Sequence, residues 1–155
     1  MDSASSIDKV KSKHMDNTQK IMDYISTQML GVISTIDPSG KPEAALVAIT
    51  ETEGLKLIFG TDKKTRKYKN LLNNPHVAIV LGTDLKVGVT VQYEGVAKEL
   101  SSKELEQARD LHLKKNPNSI KFAFKESQTF FMIKPTWVRY SAMAQNPPEM
   151  FEMTF

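Results

Sequence analysis

The sequence predicts a mainly β, α+β domain in which about six antiparallel strands close into a small barrel or sandwich and three helices flank it. Two observations carry this expectation. Short runs rich in Val, Ile, Leu and Ala alternate with turn signals such as "DPSG" and "ETEG", while three other stretches repeat apolar residues at helical spacing. The 155 residues suffice for one domain with a real core, and 40% hydrophobic with 25% charged residues is the balance of a folding chain.

Residues 1–15 are polar and lysine-rich without clear periodicity, and are expected as a flexible segment ahead of a domain spanning 16–155. Asp16 or Asn17 can cap a short helix whose Ile21, Met22 and Ile25 mark one apolar face. Strands follow near 30–36, 41–51 and 55–61, read as a β-meander because short-looped consecutive strands pair antiparallel. Between the first two, Asp37-Pro38-Ser39-Gly40 places Pro where φ is preset and Gly where a positive φ is free. Tyr68, Leu71 and Leu72 give an i, i+3, i+4 face to a second helix, which ends at Asn74 because Pro75 disfavours the α region before it.

"HVAIVLG" and "LKVGVTVQYEGVAKEL" read as two more strands, joined around Thr83 and Asp84. A third helix starts at Ser101 or Ser102, with Leu105, Ala108, Leu111 and His112 inward and Glu104 as capping-box partner of Ser101. "QTFFMIKPTWVRYSAM" is the last strand, and the tail "AQNPPEMFEMTF" is expected to be irregular because prolines interrupt it.

Composition narrows the function. There is no cysteine, so disulfides, thiolate metal sites and cysteine nucleophiles are excluded together, as suits a reducing compartment. No apolar run approaches the roughly 20 residues of a membrane helix, and the polar start lacks the apolar core of a secretion signal. A soluble, cytoplasmic protein without membrane partners is expected. The net charge of +3 is too small an excess for a general polyanion binder, so no nucleic-acid partner is expected. His14, His76 and His112 are scattered without metal-ligand spacing and read as surface or core, while Glu51 with Glu53 and Glu104 with Glu106 read as solvated charges. No catalytic acid or base stands out.

One stretch asks for more. "TDKKTRKYKNLLNNP", residues 61–75, puts Lys63, Lys64, Arg66, Lys67 and Lys69 into seven positions around a helix start. Cations oppose the helix dipole at that end, and free backbone N–H groups there attract anions. Thr61 and Thr65 add hydroxyls, so a phosphate seat competes with two other readings, a solvated face and a nucleic-acid patch.

The order of β-meander, Thr61-xxx-Thr65-x-Lys67-xx-Asn70-Leu71-xx-Asn74-Pro75, "VAIVLG" and "VQYEGVAKEL" resembles the pyridoxamine 5'-phosphate oxidase-like family of flavin-binding split barrels, over roughly residues 16–140. The resemblance implies a six-stranded antiparallel split β-barrel with flanking helices, FMN as cofactor, and a homodimer with FMN in the cleft between two barrels. Thr65 and Lys67 fall on the Ser/Thr-x-Lys unit that holds the FMN phosphate, with Arg66 and Thr61 beside them. Ala45, Leu46 and Val47 would meet the polar edge of the ring, and Gln92 and Trp137 resemble positions from which the partner subunit reaches the flavin.

The implied activity is that of a flavin-dependent oxidoreductase passing electrons from a reduced nicotinamide to a small organic substrate. The alternative is a non-catalytic flavin, deazaflavin or haem binding protein, a sensor or store, with haem weakened by the absence of a suitably placed His. After Trp137 and Arg139 the segment departs from the pattern of the vitamin B6 oxidases, so that activity is not implied. Arg139 is expected to pair with a nearby carboxylate, and Met150, Phe151 and Phe155 to lid the flavin cleft or seal the dimer.

Overall fold

The computed structural model describes residues 3–82, 84 and 86–155. Helix α1 (Ser3–Ser26) leads into a sheet of eight strands: β1 (Leu30–Ile36), β2 (Pro42–Ala48), β3 (Thr50–Thr52), β4 (Lys56–Asp62), β5 (His76–Leu81), β6 (Val89–Glu99), β7 (Gln128–Ala142) and β8 (Glu149–Thr154). Helix α2 (Arg66–Asn73) follows β4, and α3 (Ser102–Lys115) with the short α4 (Ile120–Ala123) lies between β6 and β7. The sheet is antiparallel throughout and runs β2-β1-β5-β6-β7-β4-β3, with β8 on β7. It curls into a half-barrel flanked by helices, as expected.

Two features set the strand count at eight rather than six. The expected strand 41–51 breaks at Ile49, whose amide bonds Met29 O at 3.0 Å, so β2 stays with β1 while β3 pairs with β4. The meander is therefore two hairpins at opposite ends of the strand order, joined through β5, β6 and β7. The tail forms β8 because its prolines precede Glu149, and β7 leaves half of one edge open: β4 covers Gln128–Ile133 and β8 covers Trp137–Ala142. Pro135, inside β7, is accommodated where the register shifts at Glu94/Gly95.

The N-terminus also differs from expectation. Helix begins at Ser3, not near Asp16, because no Gly or Pro precedes Gly31 and Lys, Met and Ala favour helix. Only its C-terminal part enters the core, through fully buried Ile21 and Ile25. The turn at 37–40 forms as read, with Asp37 Oδ1 accepting from Ser39 N and Lys41 N and Gly40 at φ +85°. Thr83, expected at the β5–β6 connection, lies outside the described residues.

A main core of Ile33, Leu57, Phe59, Tyr93, Phe131 and Ile133, among others, fills the curl of the sheet, and a second cluster of Ile58, Leu100, Ala108, Ala123 and Phe130 seats α3 and α4 on its other face. Leu111, expected inward, is exposed; the inward positions of α3 are Leu105, Ala108, His112 and Leu113. Ser101 caps α3 without a side-chain bond, and Glu104 pairs with Lys98 instead of completing a capping box. Among the described residues, no helix is long and apolar enough to cross a membrane.

Candidate functional site

The end of β4 and the start of α2 are locked together by short polar contacts. Thr65 is the N-cap of α2: its Oγ1 accepts from Tyr68 N at 3.4 Å and donates to Asp62 O at 2.8 Å. With that proton committed, the 3.0 Å contact between Thr61 and Thr65 leaves Thr61 as the donor. Asp62 in turn accepts from Lys64 N at 2.8 Å and Ser127 Oγ at 2.7 Å, which hold its carboxyl below the usual range and keep it ionised. The two threonine hydroxyls are thus already engaged, and the donors left for an anion are first-turn N–H groups and the Lys67 ammonium.

Lys67 is the unusual member of the basic cluster. Its side chain is half-buried, burial pushes its pKa down, and it has no ion-pair partner among the described residues. A desolvated cation without a counter-charge is costly unless a ligand supplies one. Arg66, expected beside it, turns the other way: it pairs with Glu43 on β2 at 2.7 Å and lies outside the cavity that Lys67 lines. Lys63 and Lys64 sit in the exposed turn before the helix, so the cluster divides into solvated charges and one inward cation.

That cavity has a volume of about 430 Å³ and lies between β2 and β4, under α3 and α4. Leu46, Val47 and Ala48 form one wall, Gly60, Thr61, Asp62, Thr65 and Lys67 the end at α2, and His112, Ser119, Phe122, Gln128 and Phe130 the opposite side. Of the residues expected to hold a cofactor, Thr61, Thr65, Lys67, Leu46 and Val47 meet here. Ala45 does not line it and packs against the main core instead.

Gln92 and Trp137 also lie elsewhere in this chain. Gln92 is exposed on β6 opposite Arg139, and Trp137 donates from Nε1 to Glu152 at 3.2 Å. Arg139 donates from Nε to the same carboxylate at 2.8 Å, the pairing expected of it. The tail does not line this cavity: Phe151 stacks on Tyr140, and Met150 and Phe155 are exposed.

Two residues were missed. Asn70 is buried on α2 and donates to Thr35 Oγ1 at 3.0 Å and Glu43 Oε2 at 2.8 Å, tying the helix to β1 and β2. The spacing Thr65 to Asn70 was visible, but not that the amide would replace Leu72, now exposed, on the inward face. His112, only 3% exposed, lines the cavity.

The tautomer of His112 follows from its neighbours. Asn116 Nδ2 donates to Thr50 Oγ1 at 3.0 Å, and the only other partner of that hydroxyl among the described residues is His112 Nδ1, also at 3.0 Å. The one arrangement that gives the Thr50 hydroxyl proton an acceptor among these partners has it donate to Nδ1, which puts the imidazole proton on Nε2. Nε2 has no protein partner among the described residues, yet Arg109 Nε is the one side-chain polar atom there that is enclosed and unpaired. His112 Nε2 is therefore not enclosed, and the side chain that carries it lines the cavity. Burial, with Lys115 nearby, holds the imidazole neutral down to about pH 4.

A profile of the pyridoxamine 5'-phosphate oxidase family matches residues 17–142, which include both hairpins, the α2 seat and the α3 wall. The chain belongs to that family. Among its relatives, general stress protein 26 of Bacillus subtilis (strain 168) is 33% identical over 92 residues, 58% of this chain and 64% of that protein. The chain thus matches just under two thirds of that relative's length. The structure of general stress protein 26 from Bacillus anthracis str. Sterne superposes with a TM-score of 0.68 at 24% identity, over 87% of this chain and 97% of the other. A haem-binding protein from Mycobacterium smegmatis gives a TM-score of 0.72 at 20% identity, over 84% of this chain and 54% of that one. These likenesses establish a fold that the pyridoxamine 5'-phosphate oxidase family shares with haem binders.

Proposed function

We propose that this chain binds FMN in the β2–β4 cavity and acts, as a cytoplasmic homodimer, as a flavin-dependent oxidoreductase on a small organic substrate. The observation that carries the reading is Lys67, a half-buried ammonium on the cavity wall with no carboxylate partner among the described residues. A phosphate monoester supplies the missing charge, and the α2 N-terminus adds N–H donors to it. The donor set therefore fits FMN. The backbone along Leu46, Val47 and Ala48 would orient the ring, and Gln92 and Trp137 of a second copy would close the open side.

When bound, the flavin supplies the redox chemistry, and the protein contributes binding, orientation and exclusion of water. Lys67 holds the phosphate, Thr65 keeps the α2 N-terminus in place, and Phe122 and Phe130 give the opposite side its apolar character. No proton-transferring residue is required by this reading.

A second reading, haem, is favoured by the likeness to the Mycobacterium smegmatis protein and by a histidine on the cavity wall, where the sequence suggested none. The hydrogen bonds of His112 weigh against it, since iron would need the lone pair of Nε2, which carries the proton when Thr50 donates to Nδ1. The deciding experiment is the visible spectrum of the purified protein after incubation with FMN, or with haemin, and desalting. Flavin bands retained by wild type and lost in Lys67→Ala support the proposal. Retention of haemin but not FMN would replace it.

A further inference from the structure

We infer that His112 is a ligand-binding residue, its Nε2–H donating a hydrogen bond to an uncharged acceptor, a carbonyl oxygen or ring nitrogen, on the molecule held in the cavity. The inference rests on the flavin reading above and adds what the side opposite the seat recognises. The ring is fixed. Thr50 holds Nδ1, Phe130 meets its face edge-on at 5.5 Å between centroids, and Asn116 ties the end of α3 to Ile49 O at 3.3 Å. Lys115, one turn from His112, is engaged by Glu51 and by Ile25 O. What remains is a single N–H that is not enclosed, on a nearly buried side chain that lines the cavity.

Charge selects the acceptor. The imidazole stays neutral through the physiological range. Lys67 belongs to the phosphate end, and the ionised Asp62 lines the same cavity. A carboxylate brought against His112 would lose its hydration without meeting a cation, whereas a neutral carbonyl loses little and gains the bond. Two molecules can present such an acceptor: the cofactor's own ring, and a quinone-like or carbonyl-bearing substrate beside it.

The test uses the full chain labelled with ¹⁵N-histidine, whose His112 nitrogens report tautomer and hydrogen bonding directly. Spectra are taken alone, saturated with oxidised FMN, and then with menadione added; both additions are oxidised, so no electrons move. The free protein should show His112 as the neutral Nε2–H tautomer. A shift of the Nε2 signal on adding FMN places the acceptor on the cofactor, and a shift only on adding menadione places it on the substrate. His112→Phe should weaken binding of the molecule that causes the shift by roughly 3- to 10-fold, the range for one neutral hydrogen bond, with His112→Gln restoring most of it through an amide N–H at the same place. FMN bound while neither addition moves the signal overturns the inference and leaves the flavin reading standing. Failure to retain FMN overturns both. If His112→Phe does not fold, the wild-type spectra still decide.

Discussion

Thr61 Oγ1 and Thr65 Oγ1 lie 3.0 Å apart, joining the end of β4 to the cap of α2. On the proposed reading, the pair would set the geometry of a phosphate seat and leave the charge to Lys67. Replacing Lys67 by Ala should weaken FMN binding by about 1.5–3 kcal/mol, the worth of a charge-assisted hydrogen bond, or roughly 10- to 150-fold in Kd. Lys64→Ala and Arg66→Ala should change it little, because Lys64 is exposed and Arg66 is committed to Glu43. Fluorescence titration of FMN against the three variants distinguishes a specific seat from diffuse charge. Equal losses would sink the seat.

The same burial predicts an opposite effect on stability. Lys67 loses hydration without gaining a partner in the free protein, so Lys67→Met should unfold at the same or higher urea concentration than wild type when FMN is absent. Thr65→Ala should instead lower stability by about 1 kcal/mol through loss of the cap. A Lys67→Met protein clearly weaker than wild type would mean that the ammonium already has a partner in the free chain.

Asn70 offers a test of what shapes the inward face of α2. Its amide bonds both Thr35 and Glu43, and Asn70→Leu would remove the donor to buried Thr35 Oγ1 and leave the half-buried Glu43 with Arg66 alone. A loss of about 1–3 kcal/mol in urea denaturation is expected, despite the more hydrophobic replacement. No loss would show that water substitutes for the amide.

Gly82 is fixed by both backbone and space. Its φ is +90°, and a Cβ there would stand 2.1 Å from Tyr24 Oη and 2.4 Å from Val89 O, the two atoms of a 2.7 Å hydrogen bond that ties α1 to β6. Gly82→Ala should cost about 2–4 kcal/mol, combining backbone strain with the broken bond. Thermal unfolding of Gly82→Ala beside Tyr24→Phe separates the two contributions, since the second removes only the bond.

How much of this was legible in the sequence depends on the distance over which each feature is decided. Turn chemistry at 37–40, the helix stop before Pro75 and the apolar strands are local, and they appear where the residues place them. The division of 41–51 into β2 and β3 turns on a bond from Ile49 N to Met29 O, twenty positions away, which no local pattern encodes. Likewise β8 exists because β7 has an uncovered half-edge, a property of the assembled sheet. In the site, Thr65 and Lys67 were readable from motif and dipole. Arg66 was not, since its fate depends on Glu43 across the fold, and His112 read as one more inward residue until α3 was docked over the cavity.

His112 also makes stability depend on pH in a defined window. Its folded pKa of about 4 lies below the ordinary 6.5, so between these values the unfolded chain binds the proton and the folded chain does not. Stability therefore rises with pH across that window, and acidification from 6.5 to about 4 removes it progressively, by up to about 3 kcal/mol for a shift of this size. The cause is chiefly burial, with Lys115 adding to it. His112→Gln keeps a hydrogen-bonding side chain but cannot titrate, so its stability should fall less steeply between pH 6.5 and 4.5 than that of wild type. Urea midpoints at half-unit pH steps measure the difference, and parallel curves would mean that His112 accepts its proton in the folded state, which would also remove the neutral donor from the cavity wall.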